Sequence, residues 1–141
     1  MGTMDAKILV VDDAKFMRRL LRQMLGEGGY RDIEEAADGD EALLRFRERQ
    51  PDLVLLDITM PGTPGMAVLS QMLAIDPAAR VVICSAVGQE TVMESARRAG
   101  ACGFVRKPFS RPELLQAVSA ALARSDRRPE AGKTEKGERK L

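Results

Sequence analysis

Histidine and tryptophan are both absent from the 141 residues, and there are only one tyrosine and four phenylalanines. The lack of histidine excludes Ser-His and Cys-His nucleophile pairs, histidine general bases and histidine metal ligands. Few aromatic rings are available to stack on nucleic-acid bases, and a formal charge of +1 gives no basic stripe for a phosphate backbone. Any chemistry must therefore use carboxylates, hydroxyls, lysine and arginine.

Cysteines and long apolar runs are also scarce. Cys84 and Cys102 are too few for a disulfide scaffold or a zinc site, and we expect both to be buried small apolar residues in a reducing compartment. No apolar run approaches the roughly 20 residues of a membrane span, and no signal peptide opens the chain. We expect a cytoplasmic protein that contacts neither membrane nor nucleic acid.

Short apolar segments alternate with longer amphipathic ones, which indicates strands and helices in turn. Strands are predicted at Lys7–Val11, Asp32–Ala36, Asp52–Leu56, Arg80–Cys84 and Gly103–Arg106. Helices are predicted at Ala14–Leu25, Asp40–Arg49, Met66–Ile75, Glu90–Ala99 and Pro112–Ala123, with a Gly/Pro-rich loop at Pro61–Gly65. Successive βα units predict a parallel sheet with helices on both faces, and the chain is too short for a closed barrel.

The composition changes after Arg124. Residues 125–141 hold six basic and four acidic side chains and almost nothing apolar, so this segment cannot bury enough surface to fold alone. We predict a folded domain over residues 4–124 and a charged, flexible C-terminal tail over 125–141. A docking tail and the start of a linker to another domain are the alternatives.

Polar residues come at the ends of several predicted strands, where open parallel sheets bind ligands. Asp12 and Asp13 follow the first strand, Asp57 the third, Ser85 the fourth and Lys107 the fifth. Each one alone is explained by a helix cap or a surface charge. Their occurrence at successive strand ends instead predicts one shared site.

The physics of such a cluster favours a bound cation. Two carboxylates about 5 Å apart repel by roughly 3 kcal/mol at an effective dielectric constant near 20. Oxygen ligands favour Mg²⁺ (or Mn²⁺), which also bridges to phosphate. With Asp57 as nucleophile, Lys107 and the ion against the phosphoryl oxygens, and the Ser85 hydroxyl donating to one of them, the predicted product is an aspartyl phosphate.

Four motifs resemble the receiver domain of two-component response regulators, the CheY-like family. They span most of Lys7 to Arg124, in the family's order and spacing: VVDD at Val10–Asp13, LLDITMP at Leu55–Pro61 with Gly65 following, SA at Ser85–Ala86, and GFVRKPF at Gly103–Phe109. The resemblance implies a flavodoxin-like, doubly wound α/β fold with a five-stranded parallel sheet in the order 2-1-3-4-5 and five helices. Asp13–Leu21, Asp57–Pro61 and Ser85–Gln89 favour the stand-alone chemotaxis regulators.

The resemblance also implies roles for the acidic residues. Asp57 is the phosphorylation site and takes its phosphoryl group from the phosphohistidine of a partner kinase. Asp13, Asp57 and the backbone carbonyl of Thr59 are the direct metal ligands, and Asp12 reaches the ion mainly through water.

The resemblance implies that the remaining motif residues bind the phosphoryl group or change conformation when it is present. Ser85, Ala86 and Lys107 form the phosphoryl-binding set, and Ser85 and Phe104 form a switch pair that remodels the surface of the fourth helix, fifth strand and fifth helix. The bond before Pro108 is expected to be cis.

The expected partners are a sensor histidine kinase (CheA-like or another), a downstream protein such as a flagellar motor switch protein, and a phosphatase. In this interpretation the chain is a signalling switch that catalyses only its own phosphorylation and dephosphorylation. Arg18, Arg19 and Arg22, on the first helix, are expected to be solvated, and the alternative is that they form a docking surface for the kinase or phosphatase.

Three alternatives stay open. A receiver fragment of a longer transcriptional regulator fits the charged tail. A phosphatase of the haloacid-dehalogenase type also uses an Asp nucleophile, Mg²⁺ and Lys, but it requires a second Asp at the position of Thr59. A flavodoxin-like FMN module requires a Ser/Thr/Gly-rich phosphate loop, whereas Asp12 and Asp13 repel phosphate.

Overall fold

The computed structural model of the protein describes residues 5–59, 64–86 and 90–124. Strands are β1 (Lys7–Val11), β2 (Asp32–Ala36), β3 (Leu53–Asp57), β4 (Val81–Ala86) and β5 (Gly103–Lys107). Helices are α1 (Lys15–Glu27), α2 (Gly39–Arg49), α3 (Gly65–Ile75), α4 (Glu90–Ala99) and α5 (Arg111–Leu122). Most of the predicted loop at Pro61–Gly65 and the whole predicted tail at 125–141 lie outside the described residues.

The strands form one parallel sheet in the order β2-β1-β3-β4-β5, which confirms the predicted doubly wound fold. Successive residues of β3 face opposite cores. Val54 and Leu56 pack on the side of α2, α3 and α4, whereas Leu53 and Leu55 pack on the side of α1 and α5. Because both faces are covered, the central strands are continuously apolar rather than alternating.

Three strands end later than the sequence predicted. Ser85 pairs with Arg106, and Ala86 pairs with Lys107. This pairing extends both β4 and β5 past the apolar segments from which they were predicted. Ser85 and Lys107 therefore lie within strands rather than after them, and Asp57 is the last residue of β3. The carboxyl edge of the sheet is consequently built partly from the functional residues themselves.

Helix α1 departs from its prediction in two ways. It continues past Leu25 through Gly26 to Glu27, since the last turn keeps its backbone hydrogen bonds. The apolar residue Phe16, which helical spacing within the predicted Ala14–Leu25 helix places among the inward-facing residues, is instead 75% exposed. It lies five residues before the buried Leu21, so it points well away from the buried stripe of the helix.

Cys84 and Cys102 differ in burial. Cys84 is buried as predicted, and burial raises the pKa of its thiol to about 12, whereas Cys102 is only half-buried. None of the helices within the described ranges is long and apolar enough to cross a membrane.

Arginines from α1 and α2 clamp the acidic edge strand β2. Its sequence, DIEEA, has few apolar residues to bury, and only Ile33 and Ala36 are buried. Among the described residues, five ion pairs compensate: Arg18–Glu35 (3.1 Å), Arg22–Glu35 (2.7 Å), Arg45–Glu34 (3.6 Å), Arg49–Asp32 (2.7 Å) and Arg49–Glu34 (4.0 Å). Charge from both faces of the sheet thus adds to the limited apolar packing of this strand.

The ion pairs of Glu35 make the stability of the fold depend on pH. Burial works against the charge of Glu35, but hydrogen bonds from Arg22 and Arg18 outweigh it and lower the pKa of its carboxyl. The stabilisation is therefore present above the unfolded-state pKa and is lost as the pH falls through the lower folded-state pKa. We expect Glu35→Gln to reduce the free energy of unfolding by about 1 kcal/mol near neutral pH.

Urea denaturation followed by circular dichroism measures this difference. It should shrink as the pH is lowered below about 4. A difference that is the same at neutral and acidic pH would mean that the ion pairs of Glu35 do not stabilise the fold.

Candidate functional site

Three carboxylates meet at the carboxyl edge of the sheet. Asp12 and Asp13 leave the end of β1, Asp57 ends β3, and one oxygen of each lies within 4.8 Å of the others. Asp12 and Asp57 are buried, whereas Asp13 is exposed. The strands bring them together because β1 and β3 are neighbours in the sheet. The structure thus assembles the acidic cluster that the sequence placed at separate strand ends.

Lys107 reaches this cluster from β5, at the far edge of the sheet. Its Nζ lies 2.9 Å from Oδ2 of Asp12 and 3.4 Å from Oδ2 of Asp57. Partial burial disfavours the ammonium, but the hydrogen bond to Asp12 and the charge of Asp57 outweigh it and raise the pKa of Lys107. The Lys107–Pro108 peptide bond is cis. A fixed positive charge therefore bridges the two buried carboxylates.

The second oxygen of Asp57 is held by Thr59. The backbone N–H of Thr59 donates to Oδ1 at 2.9 Å, and its hydroxyl donates to the same oxygen at 2.8 Å. Sequence reasoning assigned only the carbonyl of Thr59 and missed the hydroxyl. The available signal was the Asp-x-Thr spacing, because an aspartate carboxylate often accepts the backbone N–H two residues later, which here places the Thr59 hydroxyl beside the same oxygen. These contacts fix the orientation of the Asp57 carboxylate.

Asp12 uses all of its polar atoms in protein contacts. Besides Lys107 on Oδ2, Oδ1 accepts the N–H of Ala14 at 2.9 Å, and its own N–H donates to the carbonyl of Ala36 at 3.1 Å. Its carbonyl accepts Nη1 of Arg18 at 2.7 Å. Arg18 is therefore not the solvated helix residue that the sequence predicted.

Ser85 presents an unused hydrogen-bonding group. Its Oγ is buried and has no partner among the described residues, an arrangement that typically costs about 1–3 kcal/mol. Ile83 pairs with Phe104, and because side chains alternate along a strand, Ser85 faces the same side of the sheet as both. Phe104 packs partly buried against the α2–α4 core, and Ala86, the last residue of β4, is exposed.

The assembled groups suit one kind of chemistry. The cluster offers carboxylate oxygens, which are the donors that Mg²⁺ and Mn²⁺ prefer. Lys107 supplies a positive charge beside the same oxygens, and Ser85 supplies a hydroxyl that has no partner in the described part of the chain. A nucleophilic carboxylate with a cation site and an ammonium beside it can accept a phosphoryl group.

The sequence is similar to known signalling proteins over most of its length. Residues 8–119 match the family model described as the response regulator receiver domain. The chemotaxis protein CheY of Bacillus subtilis is 40% identical over 116 residues, which cover 82% of this chain and 97% of that protein.

The structure is also similar to solved structures of signalling proteins. NtrX from Brucella abortus superposes with a TM-score of 0.81 at 37% identity, over 84% of this chain but only 27% of that one. The chain thus spans about a quarter of NtrX. A chain of the CheX–CheY–BeF₃–Mg²⁺ complex of Borrelia burgdorferi gives a TM-score of 0.77 at 37% identity, over 82% of this chain and 87% of that one. This chain belongs to the receiver domain family of two-component response regulators.

Proposed function

We propose that the chain is a phosphorylation-controlled signalling switch in which Asp57 accepts the phosphoryl group. The observation that carries this proposal is the buried Asp57 carboxylate, with one oxygen held by Thr59 and the other 3.4 Å from Nζ of Lys107. Such a carboxylate is oriented and faces a group that can neutralise phosphoryl oxygens.

The transfer itself exchanges one bond to phosphorus for another. An oxygen of Asp57 attacks the phosphorus of a phosphohistidine on a sensor kinase. The O–P bond forms as the N–P bond breaks, and the electron pair stays on the imidazole nitrogen, which is then protonated. A chain without histidine thereby completes a reaction that begins on another protein's histidine.

The acidic cluster would hold Mg²⁺ (or Mn²⁺). Asp13, Asp57 and the carbonyl of Thr59 would be direct ligands, with Asp12 acting through water. When bound, the ion offsets negative charge on the phosphoryl oxygens. The proximity of the three carboxylates supports this assignment, and so does the Mg²⁺ in the Borrelia CheY complex.

The phosphoryl oxygens would be bound by Ser85, Ala86 and Lys107. The Oγ of Ser85, which has no partner among the residues described, gains a hydrogen-bond acceptor in the phosphorylated state, and the ammonium of Lys107 gains the phosphoryl oxygens beside Asp12 and Asp57. Charge-assisted hydrogen bonds of this kind are about twice as strong as neutral ones. The phosphorylated state is thus the one that satisfies Ser85.

Phe104 would transmit this change to the α4–β5–α5 surface. It lines two grooves, one of about 370 Å³ with β5 and α5 and one of about 210 Å³ with α4 and Arg106. Movement of its ring behind Ser85 would reshape both grooves at once. Shifting such an equilibrium from 1:99 to 99:1 requires about 5.5 kcal/mol of differential stabilisation.

The pathway is proposed from the relatives. We propose a folded receiver over residues 4–124 in the cytoplasm, with a CheA-like or other histidine kinase as donor, a flagellar motor switch protein as target and a phosphatase to reset the switch. The Bacillus subtilis CheY and the CheX–CheY complex favour chemotaxis. The second candidate is a receiver unit of a longer transcriptional regulator. It is favoured by the length of NtrX, about four times that of the matched region, and by the transcriptional regulatory protein PdtaR of Mycobacterium tuberculosis, which is 36% identical and of which this chain covers 57%.

Phosphorylation by a small donor tests the proposal without the kinase. The protein is incubated with Mg²⁺ and acetyl phosphate or phosphoramidate, and its intact mass is measured. We expect a gain of one phosphoryl group per chain, which is absent when EDTA is added before the donor. A folded protein that binds Mg²⁺ by calorimetry but gains no mass with either donor would contradict the proposal.

A further inference from the structure

We propose that Arg18 is a positioning residue for the acidic cluster, with Glu35 as its support; this inference rests on the proposed function. Arg18 lies on α1, one turn beyond the loop that carries Asp13. Its side chain is only 14% exposed, so it is enclosed between α1 and β2 rather than solvated.

The guanidinium of Arg18 makes two hydrogen bonds in different directions. Nη1 donates to the carbonyl of Asp12 at 2.7 Å, and Nε donates to Oε1 of Glu35 at 3.1 Å. The planar guanidinium keeps its donors in a fixed arrangement, so Glu35 determines where Nη1 points. The edge strand β2 thereby holds the end of β1 through one side chain.

The carbonyl that Arg18 holds belongs to the peptide unit between Asp12 and Asp13. The plane of this unit sets the direction in which the chain leaves β1, and hence where the exposed Asp13 carboxylate lies. The N–H of Asp12 is held separately by Ala36 on β2. The sheet therefore fixes the N–H of Asp12, and Arg18 fixes its carbonyl.

Arg22 provides a matched comparison one turn along the same helix. Its Nε donates to Oε2 of the same Glu35 at 2.7 Å, and its Nη2 donates to the carbonyl of Ile33 at 2.9 Å. Among the described residues it has no hydrogen bond to Asp12. Arg22 shares the stabilising role of Arg18 but not the contact with the cluster.

The test compares Arg18→Met with Arg22→Met in the full chain. Both variants lose one positive charge and one partner of Glu35, and both are expected to lower the thermal midpoint. Loss of positive charge near carboxylates by itself strengthens cation binding, so weaker binding can only come from lost positioning. We expect the Mg²⁺ dissociation constant, measured by calorimetry, to rise about tenfold in Arg18→Met and not to rise in Arg22→Met.

A second readout separates affinity from chemistry. With phosphoramidate as donor, Arg18→Met should be slow at low Mg²⁺ and recover the parent rate at saturating Mg²⁺. An unchanged or tighter Mg²⁺ constant, an equal rise in Arg22→Met, or a rate that stays low at saturating Mg²⁺ would each overturn the role of Arg18. If Arg18→Met fails to fold, Arg18→Lys takes its place. This variant keeps the positive charge but loses the planar guanidinium, and its Mg²⁺ dissociation constant and phosphorylation rate are compared with those of the parent in the same way.

Failure of the proposed function gives a different result. In that case the parent protein itself would bind no Mg²⁺ or gain no phosphoryl mass. The parent measurements therefore test the function, and only the differences between variants test Arg18.

Discussion

Replacing Asp57 with asparagine should abolish phosphorylation completely. The amide is uncharged and a poor nucleophile, so no acyl phosphate can form at this position. Asn has nearly the same shape as Asp and can keep the Thr59 contacts made at 2.8 and 2.9 Å. We expect no phosphoryl mass on Asp57→Asn after incubation with Mg²⁺ and phosphoramidate, under conditions that modify the parent fully.

The fold of this variant should be intact. Asp57 is one of three carboxylates with oxygens within 4.8 Å of one another, so removing its charge relieves repulsion. Lys107 keeps its contact with Asp12 at 2.9 Å. The thermal midpoint should therefore equal or exceed that of the parent. Asp40→Asn, on the exposed start of α2, is the matched control and should be phosphorylated like the parent. A phosphoryl adduct on Asp57→Asn would show that another residue is the acceptor.

Gly65→Ala should destabilise the protein strongly, because a side chain at this position has no space. A Cβ atom on Gly65 would lie 2.5 Å from Cα and 2.7 Å from the carbonyl oxygen of Ile58. These are backbone atoms and cannot turn aside as a flexible side chain would. We expect a loss of about 3 kcal/mol in the free energy of unfolding, measured by urea denaturation.

The same substitution should also disturb the geometry of the acidic cluster. Ile58 lies between Asp57 and Thr59, so a displaced Ile58 backbone moves both residues, and phosphorylation should slow. Gly26→Ala is the control, since a Cβ on Gly26 would meet no atom of another described segment within 4 Å and α1 continues through this position. That substitution should raise stability by about 0.5–1 kcal/mol. Equal stability of Gly65→Ala and the parent would contradict the close packing of α3 on the end of β3.

The sequence was informative where local pattern and topology coincide. Buried parallel strands are apolar on both faces, so Lys7–Val11 and most of β3 could be identified without the structure. The rule that parallel strands meet ligands at their carboxyl ends then placed Asp12, Asp57 and Lys107 at one edge, where the structure has them within contact distance.

Features that depend on contacts between distant segments could not be predicted. The extra length of β4 comes from the pairing of Ser85 with Arg106, which no local pattern encodes. Arginine is common on exposed helix surfaces, so the contact of Arg18 with Asp12 becomes visible only when α1 is docked beside β2. The exposure of Phe16 likewise follows from where α1 meets the sheet rather than from the apolar character of its side chain.

Locating the phosphoryl group on the chain tests most directly whether Asp57 is the acceptor. After reaction with phosphoramidate and Mg²⁺, borohydride reduces an acyl phosphate to an alcohol, which converts an aspartyl phosphate into homoserine. Peptide sequencing by mass spectrometry then locates that residue. We expect homoserine at Asp57 and at no other aspartate. Homoserine at Asp12 or Asp13, or a phosphoryl group that resists borohydride on a hydroxyl such as that of Ser85, would contradict it.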